Sequence, residues 1–216
     1  LNFYKAGSTV TVRNCIFRNN GAVYCGGGLT NYNEGYEKPD TPYEISNCQF
    51  IENDADYGGA MYNRTNNHKI SDCVFKSNTG QIHCGAMYNH GESSVEVTNG
   101  VFSKNEALGG DGGAVYTVSL CDPTFTNCLF THNYASDRGG AVVNATSYTE
   151  FKRCAFMYNS ADDMGGAIFN VGGGSNEIVN CVITKNTADE GGGIANYYSD
   201  NAIVNCTIYK NSAIEG

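Results

Sequence analysis

A short phrase recurs eight times along the chain at an almost constant interval. It contains an apolar residue, any residue, usually Asn, usually Cys, any residue, Phe or Ile, two further residues and Asn. A fixed period of this length is typical of a solenoid, in which each repeat buries its apolar face only by stacking on its neighbours. With successive gaps of 33, 25, 27, 28, 26, 27 and 25 residues, the fourth position of the phrase falls at Cys15, Cys48, Cys73, Gly100, Cys128, Cys154, Cys181 and Cys206.

A second motif, Gly-Gly-small-apolar-x-Asn, alternates with the first. Its complete copies begin at Gly26, Gly58, Gly139, Gly165 and Gly191. Between the motifs, short runs rich in Val, Ile, Phe, Tyr and Thr are interrupted by Gly and Asn, which indicates strands and turns without helices. The sequence therefore predicts one all-β domain over residues 1–216, a parallel β-helix of about eight coils of roughly 26 residues, with about three strands in each coil.

Stacking in register explains why the same residue types recur. Asn stands five residues after the Cys position in every copy, and we expect its backbone to take the left-handed bend while its amide bonds to the amides above and below. Phe or Ile stands two residues after the Cys position, which predicts an internal apolar row. The predicted asparagine ladder comprises Asn20, Asn53, Asn78, Asn105, Asn133, Asn159, Asn186 and Asn211.

The repeated cysteines raise the question of a metal site. No Cys-x-x-Cys pair and no regularly placed His accompanies them, which argues against a zinc cluster. We interpret them as a column of small, buried, reduced thiols, because parallel Cβ directions give poor disulfide geometry. The column comprises Cys15, Cys48, Cys73, Cys128, Cys154, Cys181 and Cys206.

Composition limits the partners and the location. The formal net charge is −9, from 13 Lys and Arg against 22 Asp and Glu, so the protein repels phosphate backbones and no nucleic-acid partner is expected. No apolar run is long enough for a transmembrane segment. Abundant Gly, Asn, Ser, Thr and Tyr favour an extracellular or cell-surface location. The chain begins without Met and ends where another Gly-Gly motif is due, so we expect a mature or excised piece of a longer repeat protein, whose open coil ends offer surfaces for self-association.

The two motifs together resemble a known family. Phe17–Asn20 (FRNN), Phe75–Asn78 (FKSN) and Phe130–Asn133 (FTHN) alternate with phrases such as Gly165–Ile168 (GGAI). This alternation resembles the paired FxxN and GGAI repeats of chlamydial polymorphic outer-membrane proteins and of related right-handed β-helix surface proteins. The resemblance covers nearly the whole chain. It implies right-handed coils and a secreted autotransporter passenger that acts in adhesion.

Aspartates stand two residues before several Gly-Gly motifs, at Asp56, Asp137, Asp163 and Asp189. The last three lie in consecutive coils, and stacked carboxylates repel one another unless solvent, protons or a cation lie between them. Calcium prefers oxygen ligands in loose geometry, so we predict Asp137, Asp163 and Asp189 as a calcium site and predict no other cofactor. The alternative is that these are ordinary acidic turn residues.

The longest interruption of the repeat is the inserted loop at residues 32–44 (YNEGYEKPDTPYE). Loops on a rigid scaffold often carry binding residues, and tyrosine supplies contact area at low entropic cost. We therefore predict Tyr32, Tyr36 and Tyr43 as binding residues for a glycan or a surface protein. The alternative is a surface excursion without a binding role.

Three classes of function fit such a rod. We predict a non-catalytic extracellular β-helix that acts in adhesion or surface assembly. The first alternative is a polysaccharide-binding or polysaccharide-cleaving β-helix, with Arg138, Lys185 or Lys210 as base in a lyase and the aspartates as acid and base in a hydrolase. These residues stand at regular repeat positions, whereas an active site breaks the repeat, so no catalytic residue is predicted. The second alternative is a filament or sheath subunit that assembles end to end.

Overall fold

The computed structural model describes residues 1–4, 10–32, 43–64 and 67–215, and none of them is helical. The chain winds as a parallel solenoid in which a complete coil gives one short strand to each of four sheets. Three sheets have eight strands and one has seven, which corresponds to about seven turns. The all-β solenoid prediction is confirmed. The expected number of three strands per coil is too low, since each complete coil has four. The fourth strand escapes sequence analysis because it is as short as Glu106–Ala107 and shows no alternation of apolar and polar residues. Among the described residues there is no helix with the length and apolar character to cross a membrane.

The four sheets are numbered in the order in which the chain visits them. The first sheet comprises Asn2–Tyr4, Leu29–Tyr32, Met61–Arg64, Met87–His90, Val115–Val118, Val142–Ala145, Ile168–Val171 and Ile194–Tyr197. The second comprises Thr11–Arg13, Tyr43–Ser46, Asn67–Ser71, Ser94–Thr98, Thr124–Thr126, Glu150–Lys152, Ser175–Val179 and Asp200–Val204. The third comprises Ile16–Arg18, Gln49–Ile51, Val74–Lys76, Val101–Ser103, Leu129–Thr131, Ala155–Met157, Val182–Thr184 and Thr207–Tyr209. The fourth comprises Asp54–Tyr57, Thr79–His83, Glu106–Ala107, Tyr134–Ala135, Ser160–Ala161, Thr187–Glu190 and Ser212–Glu215.

The core is a set of columns in which like side chains stack. Phe75 pairs with Phe50 on one side and with Phe102 on the other. The phenylalanine rings of this column stack at centroid distances of 4.7 to 4.9 Å and lie within 6° of parallel. Burying each such side chain contributes roughly 1.5–3 kcal/mol. The stacked column comprises Phe17, Phe50, Phe75, Phe102, Phe130 and Phe156.

The predicted asparagine ladder is present between the third and fourth sheets. Asn133 is typical, because its Nδ2 donates to Asn159 Oδ1 at 2.9 Å and to the Phe102 carbonyl oxygen at 3.0 Å. Its main-chain N–H donates to the same Asn159 Oδ1 at 3.1 Å. The left-handed backbone, however, falls one residue earlier than expected, at His132 with φ of 55°. The bend residue faces solvent, and the ladder residue turns inward, where its amide needs partners.

A second ladder lies on the first sheet, at the Asn that closes the Gly-Gly motif. Asn63 Nδ2 donates to Asn89 Oδ1 at 2.9 Å, and Asn144 Nδ2 donates to Asn170 Oδ1 at 2.8 Å. The motif's first glycine takes a left-handed conformation, as at Gly139 with φ of +65°. At the second position no side chain fits, since a Cβ on Gly140 would collide with the main chain of the next coil.

The repeated cysteines lie in the corner between the second and third sheets, and all are free thiols. Five are buried, whereas Cys15 is exposed and Cys206 is half-buried. The thiols bond to the main chain, because the Cys154 N–H donates to Cys181 Sγ at 3.3 Å and Cys154 Sγ donates to the Phe125 carbonyl oxygen at 3.3 Å. Burial raises the pKa of Cys73 to about 12, so this thiol stays protonated.

Candidate functional site

An aromatic surface covers part of the outer side of the first sheet. Tyr62, Tyr88 and Tyr116 occupy the same position in three successive strands, and each pairs in register with the next. Their rings stack at centroid distances of 5.4 and 5.3 Å and lie within 5° of parallel. Arg64 and His90 stand two residues after Tyr62 and Tyr88 on the same strands, where they are neighbours in register. We call these five residues the tyrosine face.

The tyrosine face is held from the side by the fourth sheet. The Tyr57 ring meets Tyr88 edge-on at 5.4 Å, and the His83 ring stacks on Tyr116 at 4.8 Å. Tyr62 is 8 % exposed, while Tyr88 and Tyr116 are partly exposed. Burial raises the pKa of Tyr116 to about 12, so its phenol is a neutral hydrogen-bonding group at physiological pH. The surface is rigid, with ring edges and hydroxyl groups rather than ring faces available to a partner.

An ion pair lies beside the tyrosine face, next to His83. Arg138 Nε and Nη2 donate to the two carboxylate oxygens of Asp111 at 3.0 and 3.1 Å, and Asp111 is 5 % exposed. The Asp111 main-chain N–H donates to His83 Nδ1 at 3.2 Å. Burial raises the pKa of Asp111 against the opposing effect of Arg138, and burial lowers the pKa of His83.

This ion pair limits the role that Arg138 could have as the base of a lyase. The guanidinium of Arg138 is engaged by Asp111, contacts Asp137 at 3.3 Å and lies over the Phe169 ring at 5.1 Å. A base in proton abstraction needs a free position next to the substrate, and Arg138 is fixed in place here by its partners. Polysaccharide cleavage stays the alternative, and an assay for unsaturated products from uronic-acid polymers tests it.

The predicted loop tyrosines are in different environments. Tyr32 is partly exposed at the edge of the tyrosine face, where its hydroxyl accepts a hydrogen bond from Arg64 Nη1 at 2.6 Å. Tyr43 is 3 % exposed and stacks on the His68 ring at 5.0 Å, so it is a core residue and not an exposed binding residue. The reason is that the strand resumes at Tyr43 and directs this side chain inward. Tyr36 and positions 33–42 of the predicted loop lie outside the described residues.

The predicted row of aspartates is interrupted. The Asp163 N–H donates to the Asp137 carbonyl oxygen at 2.9 Å, so these two residues are neighbours. The next N–H in that column belongs to Glu190, which donates to the Asp163 carbonyl oxygen. Asp189 instead lies with Asp162 in an open groove of about 450 Å³ on the fourth sheet. Over the described residues, no group of three or more His, Cys, Asp or Glu side chains could hold a metal ion, and calcium at Asp137, Asp163 and Asp189 stays a prediction.

The tyrosine face and the Asp111–Arg138 pair are not among the predicted site residues. A signal for the tyrosines is present, because Tyr62, Tyr88 and Tyr116 all occupy the unspecified position x of the Gly-Gly motif. A signal for the ion pair is present too, because Asp111 and Arg138 each stand directly before the first glycine of the motif in consecutive coils. Counting forward from the asparagine ladder hides this equivalence, because the segments before the Gly-Gly motif differ by one or two residues between coils, as in Asp54–Gly58 and Glu106–Gly112.

The comparison with protein families identifies the class. Residues 102–215, more than half of the chain, match the family described as "Right handed beta helix region". The chain therefore belongs to the right-handed β-helix family, which agrees with the expected handedness.

One curated relative narrows the class. The "Probable autotransporter YfaL" of Escherichia coli (strain K12) is 32 % identical over 84 residues, which are 36 % of this chain and 7 % of that protein. The chain thus spans a small fraction of the relative's length. No solved structure is a significant match. This chain therefore shares its fold family with β-helix proteins and has a local likeness to one probable autotransporter.

Proposed function

We propose that this chain is part of an extracellular or cell-surface β-helix that acts as an adhesin, and that it binds its partner through the tyrosine face. The observation that carries the proposal is the parallel stack of Tyr62, Tyr88 and Tyr116 beside Arg64 and His90. The FxxN and GGAI motifs and the autotransporter relative support a surface location.

The composition of this surface suits a binding role. Tyrosine and arginine are enriched at protein interfaces, and tyrosine loses little conformational entropy when it is covered. These rings already lie in fixed positions, because each stacks on its neighbours and Tyr57 meets one of them edge-on. A partner would therefore bind without ordering them, and this preorganisation favours affinity.

The position of the surface supports the proposal further. Tyr32, the first residue of the insertion predicted at 32–44, is bonded to Arg64 of the tyrosine face, and the Arg64 guanidinium lies over its ring at 4.9 Å. Tyr32, the described residue at the start of the insertion, therefore lies beside the tyrosine face. A partner that covers Tyr88 and Tyr116 lies close to the start of this insertion.

The test compares the protein with a variant that removes only the exposed aromatic groups. Val143 occupies the position of Tyr88 and Tyr116 in the next coil, so valine fits this column. We expect the double variant Tyr88→Val/Tyr116→Val to lose at least tenfold in binding to cultured epithelial cells and to a glycan array, measured with fluorescently labelled protein.

The control is Tyr134→Val, which removes a tyrosine from the outer side of the fourth sheet. The control should bind cells and glycans as the unchanged protein does, and circular dichroism should show that all variants keep their β structure. Unchanged binding by the double variant, or no binding of the unchanged protein to either target, would contradict the proposed function.

A further inference from the structure

The outer side of the third sheet carries a column of uncharged, mostly apolar side chains. Each member directly follows the Cys position, and neighbours in the column pair in register, as Val101 does with Val74 on one side and with Leu129 on the other. All members are at least partly exposed. We call this column the apolar strip, and it comprises Ile16, Gln49, Val74, Val101, Leu129, Ala155, Val182 and Thr207.

The outer side of the second sheet is different, because charged residues recur in its column that begins at Thr11. A sheet side that meets water carries polar residues, whereas a contiguous exposed apolar patch is typical of a contact surface. The apolar strip is therefore suited to contact with another surface, and the second sheet is suited to solvent. The charged members of the second-sheet column are Glu44, Lys69, Glu96, Glu150 and Glu177.

Charged residues flank the apolar strip in two corners, with coils counted by the eight copies of the Cys phrase. The corner between the second and third sheets holds Asp72 in the third coil and Arg153 in the sixth. The corner between the third and fourth sheets holds Glu52 in the second coil and Lys185 in the seventh. All four are exposed, and over the described residues none forms an ion pair within the chain. In both corners the carboxylate and the cation therefore lie equally far from the midpoint between the fourth and fifth coils.

We propose that two copies of this chain pack face to face through the apolar strip, with their long axes antiparallel and a two-fold axis between the fourth and fifth coils. In such an interface each contact occurs twice, because both copies use the same surface. Asp72 then faces Arg153 of the second copy. In the other corner, Glu52 faces Lys185 of the second copy. The apolar strip supplies the buried centre of the contact, and the corners supply four ion pairs at its rim.

Other arrangements of two copies lose this complementarity. A parallel pair would place Asp72 opposite Ser77, so this carboxylate would gain no cation. Sliding the antiparallel pair by one coil would place Asn127 or Asn180 opposite Asp72. In the proposed register the remaining cations of this face meet uncharged side chains or a histidine: Arg18 faces Tyr209, Lys76 faces Met157, Lys104 faces His132 and Lys210 faces Asn19.

The third sheet is large enough for a dimer contact. Eight strands at a spacing of about 4.8 Å give a length of about 38 Å, and a three-residue strand with its two corner residues gives a width of about 17 Å. Each copy would therefore cover about 650 Å², or about 1,300 Å² in total, which is at the lower end of the range for stable interfaces. We expect a dimer with a micromolar dissociation constant. The contact uses a different surface from the tyrosine face, so this proposal and the proposed function can fail independently.

The first test measures the dimer dissociation constant of the full chain by sedimentation over a range of concentrations. Leu129→Lys places a charge at the centre of the strip, opposite Val101 of the second copy, and should weaken the dimer roughly tenfold or more. The matched control is Thr124→Lys, which adds the same charge in the same coil on the outer side of the second sheet, in a column that already contains Lys69. The control should stay within about twofold of the unchanged protein, and circular dichroism melting curves should show that all variants are folded.

Charge reversals test the antiparallel register. Asp72 and Arg153 share the left-handed conformation with φ of 53°, so each residue type fits at the position of the other. Asp72→Arg and Arg153→Asp should each weaken the dimer roughly fivefold, and the double reversal should restore the affinity to within about twofold. An effect of net charge alone gives a different result, since Asp72→Arg makes the chain of formal charge −9 less negative and would strengthen the dimer.

Four results would overturn the proposal. A chain that stays monomeric at millimolar concentration forms no such dimer. A dimer that Leu129→Lys leaves unchanged is held by the coil ends or by another face. Opposite effects of the two single reversals, or a double reversal that stays weak, exclude this register. A monomer that binds phosphatidylcholine vesicles, and loses that binding in Leu129→Lys, uses the apolar strip for a lipid surface instead.

Discussion

The two sides of the first sheet follow different rules, although the same strands build both. On the inner side, Met61 belongs to a column of apolar residues and Asn63 to a column of asparagines. Outward, the column of Tyr62 begins with Asn2 and Thr30 and continues through Tyr88 and Tyr116 to Val143, Phe169 and Ala195. The inner side is restricted by dense packing and by the need to pair every buried polar group. The outer column varies more in residue type, although Tyr62, Val143 and Phe169 in it are also buried.

The inner columns should be the most sensitive part of the molecule. Asn133 donates to Asn159 and to the Phe102 carbonyl oxygen and is 1 % exposed. Asn133→Asp has the same shape but replaces these donors by a buried carboxylate oxygen. We expect it to lower the free energy of unfolding by about 3 kcal/mol or more at pH 7, measured by urea denaturation.

The control for this comparison is Asn127→Asp on the outside. Asn127 is in the exposed corner column in which Asp72 already stands in another coil. We expect a change of less than about 0.5 kcal/mol. A loss at Asn127 equal to that at Asn133 would show that the inner and outer columns do not differ as described.

A buried histidine extends the comparison of inner and outer positions to the pH dependence of stability. His68 is 1 % exposed, and neither ring nitrogen has a hydrogen-bond partner among the described residues. Burial lowers its pKa from 6.5 to about 3. Below pH 6.5 His68 is therefore protonated in the unfolded chain but stays neutral in the folded chain. The free energy of unfolding decreases as the pH falls from 6.5 toward 3. At pH 5 the loss is about 2 kcal/mol relative to pH 7.

The measurement is urea denaturation at pH 7 and pH 5 for the unchanged protein and for His68→Phe. Phenylalanine keeps the stacking on Tyr43 and removes the titrating group, so most of the pH-dependent loss should disappear. The exposed His132 is the control, and His132→Phe should keep the loss. An identical pH dependence in His68→Phe would mean that other groups cause the acid sensitivity.

The sequence predicts the inner columns well for a physical reason. A buried column must repeat the same residue type, so the period, the asparagine ladder and the phenylalanine stack are visible in one chain. The sequence predicts the left-handed bend at Asn133 and its equivalents, whereas the structure has it at the preceding residue. The reason is that His132 and Tyr158, which take this conformation, do not share a residue type.

The outer surface is harder to predict because its contacts depend on how neighbouring coils align. Tyr43 and Tyr32 bound the same insertion, yet Tyr43 is in the core and Tyr32 is on the surface, a difference set by the residue at which the strand resumes. The Asp111–Arg138 contact joins segments of unequal length, and it becomes visible only when positions are counted back from the Gly-Gly motif, because both residues stand directly before its first glycine. Binding residues on this rod therefore have to be found from coil-to-coil geometry.

The Asp111–Arg138 pair tests whether a contact on the outer side can contribute as much to the free energy of unfolding as a contact in the interior. Asp111→Asn keeps an oxygen for the Arg138 main-chain N–H, a bond of 3.3 Å, but removes the charge that faces the guanidinium. Arg138 stays partly exposed and keeps Asp137 at 3.3 Å, so the expected loss in unfolding free energy is only about 1 kcal/mol. Glu44→Gln, which removes the charge from the solvent-exposed pair with Arg13, should have an effect near zero in the same urea titration. If Asp111→Asn lowers the free energy of unfolding as much as Asn133→Asp does, the ion pair belongs to the structural core of the rod. The contrast between a repetitive interior and a variable exterior would then not hold next to the fourth sheet.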